Sequence, residues 1–308
     1  MTIDLYGSSQ FCIPTAEKLL AEGYALRCVT TRLPAKHKSR TDIPSPLTEF
    51  AQVHNLSLAE LRTKKELEEL YQKWLAPDAV VVASFGILIP EALLKLPKFG
   101  VLNIHPSLLP KYRGPSPVQT AILNGDTTTG VTIILLDNQM DHGPILAQKE
   151  HPIHPNNTTL TLKQRLGGEG ADLLIKTMRQ YINGVIVPVA QNDSLATFTK
   201  KISKEDGRIQ WTDDANSIDR KSRAYDPWPG LSTQWNEKIT KLFDSTPLEM
   251  KSFQKPGTVL GIEDGFLKIQ CGDNAVVGFH DIQIEGKQRI GVKAFVQGYP
   301  AIQQARFE

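Results

Sequence analysis

Cysteine is scarce in this sequence, and its few copies lie far apart. Three are present among 308 residues, at Cys12, Cys28 and Cys271. An odd and scattered set supports neither a disulfide framework nor a Cys-x-x-Cys metal site. The cysteine content therefore predicts a protein of the reducing cytoplasm.

Long apolar runs are also missing. The longest nearly uninterrupted run, residues 79–89, has 11 residues, which is too short for a helix that spans a bilayer. The first residues, MTIDLYG, carry an acid where an export signal has basic residues. Neither export nor a membrane partner is therefore expected.

Charge of one sign is not in excess. Lys and Arg number 35 against 33 Asp and Glu, a net charge of +2, so bulk charge does not predict a nucleic-acid binder. One stretch differs, because residues 23–41 contain no acid. Its cations are Arg27, Arg32, Lys36, Lys38 and Arg40. A polyanion would meet this local basic segment, and the alternative is an ordinary solvated loop.

Several familiar signals are absent or weak. The turn after the first predicted strand reads Gly7-Ser8-Ser9 rather than Gly-x-Gly-x-x-Gly, so an NAD site is not expected. No Gly-x-x-x-x-Gly-Lys-Ser/Thr occurs, which excludes a Walker-type nucleotide site. His151 and His154, in HPIH, are separated from any regular helix by proline, and we predict an exposed loop there.

What is present over the first 185 residues is an alternation of short β-rich runs with helical stretches. The run AVVVA at 79–83 has no polar face, as is typical of a strand buried on both sides of a parallel sheet. Further strands are predicted at 3–6, 25–30, 101–104 and 131–136, and a long helix that contains three glycines at 159–183. The alternation predicts an α/β fold with an open, doubly wound, mostly parallel, Rossmann-like sheet.

The composition changes near residue 185. One short helix at 213–224 precedes short strands at 231–235, 239–243, 257–260, 266–271 and 275–279. Short strands separated by turn pairs predict a small, OB-like β-barrel. Since a length of 308 residues favours two domains, we predict a catalytic α/β domain at 1–185, a linker at 186–207 and a β-barrel domain at 208–308.

The densest group of candidate catalytic residues lies in VLNIHPSLLPKYRG, residues 101–114. The predicted strand breaks at His105-Pro106, so Asn103 and His105 share one face at its carboxyl end, where open α/β sheets bind ligands. An amide beside an imidazole can stabilise an oxyanion and move a proton. The alternative is a histidine that serves only as a hydrogen-bond partner.

A second candidate group is DNQMDHG, residues 137–143, which follows the predicted strand at 131–136. It places Asp137 and Asp141 beside His142, and a carboxylate can orient a loop histidine and stabilise its imidazolium form. A metal site formed by His105, Asp141 and His142 is an alternative, although these residues have no recognised ligand spacing.

Two stretches, NIHPSLLPKYRG at 103–114 and GDTTTGVTIILLDNQMDHGPIL at 125–146, resemble the core signature of folate-dependent formyltransferases. Six further stretches extend the resemblance beyond this core, namely PSPLTEFA at 44–51, ASFGILIP at 83–90, KISKEDGRIQW at 201–211, AYDPWPG at 224–230, KPGTVL at 255–260 and GKQRIGVKAFVQGY at 286–299. With them, the chain is similar to the methionyl-tRNA formyltransferase family from end to end.

The resemblance implies formyl transfer from 10-formyltetrahydrofolate to the methionine amino group of initiator tRNA, by a monomer and without a metal. The implied catalytic residues are Asn103, His105 and Asp141. The implied folate-binding residues are Phe85, Gly86, Ile87, Leu88, Ser107, Leu108, Leu109, Pro110 and Lys111. The implied tRNA-binding residues are Lys36, Lys38 and Arg40. Alternatives are an amino-sugar nucleotide as acceptor, because nucleotide-sugar formyltransferases share the core, and a folate- or tRNA-binding module without catalysis.

Overall fold

The computed structural model describes residues 1–31 and 44–307. The chain forms two compact units. The first contains residues 1–117, 127–153 and 161–200, and the second contains 118–126, 154–160 and the residues from 201 on. Within the described ranges, no helix has both the length and the apolar character needed to cross a membrane.

A seven-stranded sheet forms the centre of the first unit. Its strands are β1 Thr2–Gly7, β2 Ala25–Thr31, β3 Ser57–Leu61, β4 Ala79–Ala83, β5 Val101–His105, β6 Thr128–Leu135 and β7 Ile145–Pro152. They lie in the order β3-β2-β1-β4-β5-β6-β7. Strands β1 to β5 are parallel, whereas β6 and β7 are antiparallel to their neighbours. The prediction of a doubly wound, mostly parallel sheet is confirmed.

Among the described residues, five helices lie between these strands in the chain, and a sixth follows β7. They are α1 Ile13–Ala21, α2 Pro46–Val53, α3 Lys64–Lys73, α4 Glu91–Leu94, α5 Pro117–Leu123 and α6 Thr159–Ile182. The start of α2 is fixed by the Ser45 hydroxyl, which accepts the Thr48 N–H, and the Thr63 hydroxyl caps α3 in the same way. Such caps satisfy N–H groups that have no partner within the helix.

The glycines inside α6 permit close packing. A Cβ at Gly170 would lie 2.6 Å from Ile104 Cγ2 and 3.1 Å from Val131 Cγ1, so only glycine lets the helix approach β5 and β6 this closely. At Gly168 a Cβ would meet no atom within 4 Å. The helix is continuous from Thr159 to Ile182, as the sequence predicts. Its glycines have different roles, because only some of them are needed for close packing.

The second unit contains an antiparallel sheet. Its elements are α7 Ala215–Ala224, β8 Leu231–Trp235, β9 Lys238–Lys251, β10 Val259–Glu263, β11 Phe266–Gln270, β12 Ala275–Ile284, β13 Ile290–Gly291 and α8 Val292–Gly298. The strand order is β10-β11-β12-β9-β8, and β13 pairs with β12. Trp211 stacks on Phe307, with ring centroids 5.7 Å apart, in the core of this unit. The small C-terminal β domain is confirmed.

The prediction for His151 is wrong. This residue lies in β7 rather than in an exposed loop, and it is only 8% exposed. Its Nδ1 is 2.9 Å from Glu169 Oε1 in α6. The helix covers this end of the strand, which a pattern of mostly polar residues in β7 does not reveal. Strands β3 and β7 and helix α8 were not predicted from the sequence.

Candidate active site

The candidate site begins at the carboxyl end of β5. Asn103 and His105 are two of its last three residues, and both are buried, with 9% and 4% of their surface exposed. Strand β5 lies between β4 and β6, and all five of its residues are buried. The two polar side chains are therefore held in a fixed environment at the edge where α/β sheets bind ligands.

Asp141 completes this group. It lies in the loop between β6 and β7, and its Oδ1 is 3.4 Å from Asn103 Nδ2 and 3.5 Å from His105 Nδ1. Its Oδ2 accepts the backbone N–H of Gly114 at 2.8 Å. The structure thus brings the three predicted catalytic residues together around one carboxylate.

The two ring nitrogens of His105 have different environments. Nε2 is 3.0 Å from the carbonyl oxygen of Tyr112. A carbonyl oxygen only accepts hydrogen bonds, so Nε2 carries a hydrogen and donates it. The nitrogen that can gain or lose a proton is therefore Nδ1, which faces Asp141.

The pKa of Asp141 lies below its ordinary value. Burial alone would raise it, but the nearby His105 ring, the Gly114 N–H and the Arg113 guanidinium together outweigh burial. Asp141 is consequently a carboxylate at neutral pH. It can stabilise a positive charge on the His105 ring.

Thr132 of β6 fixes the loop that follows β5. Its hydroxyl donates to the Ser107 carbonyl at 2.6 Å and accepts the Leu109 N–H at 3.1 Å. Gln148 of β7 donates to the Leu109 carbonyl and to Thr132 Oγ1, at 2.8 and 2.9 Å. These bonds hold the loop rigidly, and none of them was predicted from the sequence.

The residues expected to bind folate lie in two loops, which follow the neighbouring strands β4 and β5. In the first loop Phe85 and Ile87 pack on the core, while Leu88 is 70% exposed. In the second, the Ser107 and Leu109 side chains are buried. The remaining members, which are half-buried or exposed, are Gly86, Leu108, Pro110 and Lys111. The two loops offer apolar surface and backbone groups, which suit a flat heteroaromatic ring.

His142 belongs to a different cluster from Asp141. Its Nδ1 is 2.5 Å from Asp137 Oδ2 and its Nε2 is 3.4 Å from Asp193 Oδ2. The bond to Asp137 raises the pKa of His142. In the part of the chain that the structure describes, no three His, Cys, Asp or Glu side chains are grouped to hold a metal. The alternative of a metal held by His105, Asp141 and His142 is not supported by this geometry.

Two further residues contact the site. Gln191 donates to the carbonyl oxygens of Asp141 and Gly143, both at 2.8 Å, and Arg113 donates to Gln191. Gln191 falls in the predicted linker, 50 residues after Asp141 in the chain, so periodicity and local motifs do not indicate it. Arg113 could have been identified from the sequence, because it is a charged residue directly after the predicted catalytic strand and its loop.

The predicted tRNA-binding residues Lys36, Lys38 and Arg40 lie outside the described residues. The strand that precedes them, β2, ends at Thr31. Since β2 is parallel to β1 and β5, it ends at the same edge of the sheet as His105. The chain therefore leaves the described structure on the side of the candidate site.

Two family models match this chain. Residues 22–178 match the family described as formyl transferase, and residues 201–300 match the formyl transferase C-terminal domain. Among solved structures, WlaRD, a sugar 3N-formyl transferase, has a TM-score of 0.67 and 20% identity over 94% of this chain and 99% of that chain. HypX from Aquifex aeolicus has a TM-score of 0.64 and 20% identity over 97% of this chain, which spans only 48% of HypX. These structures show the shared fold.

Curated relatives are more similar in sequence. The methionyl-tRNA formyltransferase of Chloroflexus aurantiacus is 41% identical over 90% of both chains. That of Enterococcus faecalis is 36% identical over 95% of this chain and 94% of its own. That of Halalkalibacterium halodurans is 34% identical over 97% and 95%, respectively. This chain therefore belongs to the methionyl-tRNA formyltransferase family.

Proposed function

We propose that this chain transfers the formyl group of 10-formyltetrahydrofolate to the amino group of methionine on initiator tRNA, in the cytoplasm and as a monomer. The observation that carries the proposal is the contact of Asn103, His105 and Asp141 at the carboxyl end of β5. It occurs in a chain whose relatives of 34–41% identity are named methionyl-tRNA formyltransferases. The product is N-formylmethionyl-tRNA.

Asn103 would stabilise the negative charge that develops on the formyl oxygen as the amine attacks. Its amide Nδ2 donates to Asp141 Oδ1 across 3.4 Å, which is a long hydrogen bond. A substrate oxygen could therefore compete for this hydrogen. In other acyl-transfer enzymes such a donor contributes about 2.7 to 4 kcal/mol to the transition state.

His105 would manage the proton. The attacking amine must be neutral and must lose a proton when the new carbon–nitrogen bond forms, and Nδ1 can accept that proton. The Asp141 carboxylate then faces an imidazolium, which it stabilises. The same proton balances the reaction when it passes to the departing nitrogen of the folate.

The loops after β4 and β5 would hold the folate. When bound, the folate supplies the formyl carbon and a nitrogen leaving group, which require positioning and charge stabilisation rather than a Lewis acid. The fixed loop at 107–111 would contribute backbone groups, and Leu88 with half-buried Phe85 and Ile87 would contribute apolar surface.

We assign tRNA recognition to the basic segment with Lys36, Lys38 and Arg40 and to the domain at 208–308, with the catalytic domain at 1–185 and a linker at 186–207. The support for the basic segment is its lack of acids. The support for the second domain is its match to a separate C-terminal family model. Phosphates of the acceptor would then be bound away from the reacting amine.

An acceptor comparison tests the function. The purified chain is given 10-formyltetrahydrofolate and either charged initiator tRNA or an amino-sugar nucleotide, and the formylated product is measured. We expect formylation of the tRNA and none of the sugar. Preference for the sugar would establish the alternative acceptor, and no turnover of either would indicate a binding module. Asp141→Asn, purified in parallel, controls for contaminating host enzyme.

A further inference from the structure

The segment 191–199, which we call the closing segment, runs alongside the residues that follow the candidate catalytic loop. The Arg113 N–H donates to the Thr197 carbonyl, and the Thr199 N–H donates to the Arg113 carbonyl, both at 2.8 Å. The Thr197 hydroxyl accepts the N–H of Tyr112, whose carbonyl is the acceptor of His105. The closing segment is therefore part of the structure around the catalytic residues.

Gln191 opens this segment and joins it to the Asp141 loop. Its Nε2 donates to two carbonyl oxygens of that loop, on Asp141 and on Gly143. Its Oε1 accepts two N–H groups of Arg113, from Nε at 3.1 Å and from Nη2 at 2.9 Å. A guanidinium only donates and a carbonyl only accepts, so both neighbours impose the same orientation on the amide.

Arg113 is itself fixed. It is 4% exposed, and its Nη2 also donates to Asp193 Oδ1 at 2.7 Å. The chain of contacts therefore runs from Asp193 through Arg113 and Gln191 to the backbone of Asp141. Every bond in it joins residues of the first unit.

The Asp141 loop requires such support. The φ angle of Asp141 is 51°, a left-handed conformation that is strained for a residue other than glycine and persists only when its surroundings impose it. Gly143 is equally confined, because a Cβ there would lie 1.7 Å from the Leu135 carbonyl oxygen. Relaxation at Asp141 would turn its carboxylate away from His105 and the Gly114 N–H.

We propose that Gln191 is a positioning residue for Asp141 and that Arg113 sets the orientation of the Gln191 amide. This inference rests on the proposed function, since it gives Asp141 a catalytic orientation to preserve. Gln191 forms its hydrogen bonds with the backbone of the Asp141 loop and with Arg113. Its effect passes through the backbone of Asp141.

Two substitutions of similar size test the proposal in the full-length protein. Gln191→Met removes both the donor and the acceptor. Gln191→Glu keeps the acceptor for Arg113 but places a carboxylate oxygen, which repels them, next to the carbonyl oxygens of Asp141 and Gly143. We expect kcat to fall about 10- to 100-fold, because small displacements of catalytic groups cost up to about 10². KM for the folate and for tRNA should change less than about 2-fold. Gln164→Glu, at an exposed position of α6, is the matched control and should have wild-type kinetics.

Arg113→Lys provides the second arm, because it keeps the positive charge that helps to lower the pKa of Asp141 but loses the paired hydrogen bonds to Gln191. If Arg113 acts through Gln191, the double variant Arg113→Lys/Gln191→Met should lose no more kcat than the more impaired single variant. Losses that multiply, or a rise in KM without a fall in kcat, would overturn the proposal. So would wild-type kcat in both Gln191 variants.

A structural readout separates this inference from the proposed function. Crystal structures of the wild type and of Gln191→Met should show the distance from Asp141 Oδ2 to the Gly114 nitrogen increasing by about 1 Å or more. An unchanged Asp141 would overturn the proposal even if the wild type formylates no acceptor. If Gln191→Met does not fold, Gln191→Glu serves for the same comparison.

Discussion

Asp141 combines an unusual backbone conformation with contacts from both of its carboxylate oxygens. Its backbone is left-handed, its Oδ2 accepts the Gly114 N–H, and its Oδ1 faces both Asn103 and His105. An aspartate is among the residues that tolerate this backbone conformation best. The residue type at this position is therefore selected both by the conformation and by the charge.

Replacing the catalytic residues, one at a time or together, should reduce the rate of formyl transfer. We expect Asn103→Ala, His105→Ala and Asp141→Ala each to reduce formyl transfer at least about 10²-fold, because each removes a donor, a proton acceptor or a charge. Since they act as one unit, Asn103→Ala/His105→Ala should cost less than the product of the singles. Single-turnover rates with charged initiator tRNA measure this. Near-normal turnover in His105→Ala would contradict the mechanism.

His142 should make stability depend on pH in the neutral range. Asp137 raises its pKa in the folded protein, so its stabilising contribution is complete below the ordinary value of 6.5 and is lost as pH rises through the folded value. His142→Gln should therefore lower the melting temperature, relative to wild type, by more at pH 6 than at pH 9.

Melting curves of the wild type and His142→Gln at these two pH values test this prediction. Asp137→Asn removes the same ion pair and should reproduce the trend. If the difference in melting temperature between wild type and His142→Gln were larger at pH 9 than at pH 6, the prediction would be contradicted.

The sequence predicts the candidate catalytic residues better than their supports. Asn103 and His105 could be placed because they end one short strand, and Asp141 because it follows the next strand in a signature that resembles a known family. Gln191 and Thr132 could not be found, since their partners lie 50 and 25 residues away in the chain. Neutral hydrogen-bonding residues of this kind leave no local pattern.

At the scale of elements, α6 shows how a helix uses glycine for contact. Gly170→Ala should destabilise the protein by about 1 to 3 kcal/mol, because its Cβ would overlap Ile104 and Val131. Gly168→Ala is the matched control in the same helix, and it should stabilise by about 0.5 to 1 kcal/mol because nothing obstructs its Cβ. Urea unfolding followed by circular dichroism measures both. Equal effects at the two positions would contradict this assignment.

Buried elements were easier to predict than edge elements. Strand β4, with the sequence AVVVA, is fully buried and was predicted with its observed bounds. Edge strands β3 and β7 are only partly buried, and they lie at the two ends of the sheet. In β7 three consecutive residues, 148–150, are exposed. The strand therefore has neither the apolar run of a fully buried strand nor the alternation of a half-buried one, and sequence patterns do not identify it.

At the scale of the whole molecule, the residue at which a truncated catalytic fragment ends should determine whether it folds and binds folate. The compositional boundary near 185 suggests a fragment that ends around Gln191, but Thr197 and Thr199 hold Tyr112 and Arg113. A fragment 1–200 should bind folate and unfold cooperatively, whereas 1–190 should bind it more weakly. Both should use tRNA poorly, because the second domain is missing.

Calorimetric folate titration, thermal unfolding and formylation of charged tRNA compare the two fragments. Equal folate affinity and melting in 1–190 and 1–200 would show that the closing segment does not support the site. An unchanged kcat/KM for tRNA in 1–200 would show that the second domain has another task.

The basic segment should control the salt dependence of tRNA binding. Each phosphate that a cation neutralises releases counterions, so binding weakens with salt at a slope set by the number of contacts. Changing Lys36, Lys38 and Arg40 together to Ser should reduce that slope by about 2 to 3, near one per lost phosphate contact. Folate affinity should stay constant. If tRNA affinity and slope both match the wild type, the segment is a solvated loop.

The closing segment also has a consequence for how the protein is made. From Asp141 to Thr199 the chain runs for 58 residues, which a ribosome adds in roughly 3 to 12 s at about 5 to 20 residues per second. Strand β7 is complete at Pro152, so for most of that interval the strands of the central sheet have been synthesised, but Gln191 and Thr197 have not. A nascent chain in this state contains the loops after β4 and β5 but lacks Gln191 and Thr197, which hydrogen-bond to Asp141 and Tyr112. Formyl transfer therefore awaits the arrival of a segment that contains none of the catalytic side chains.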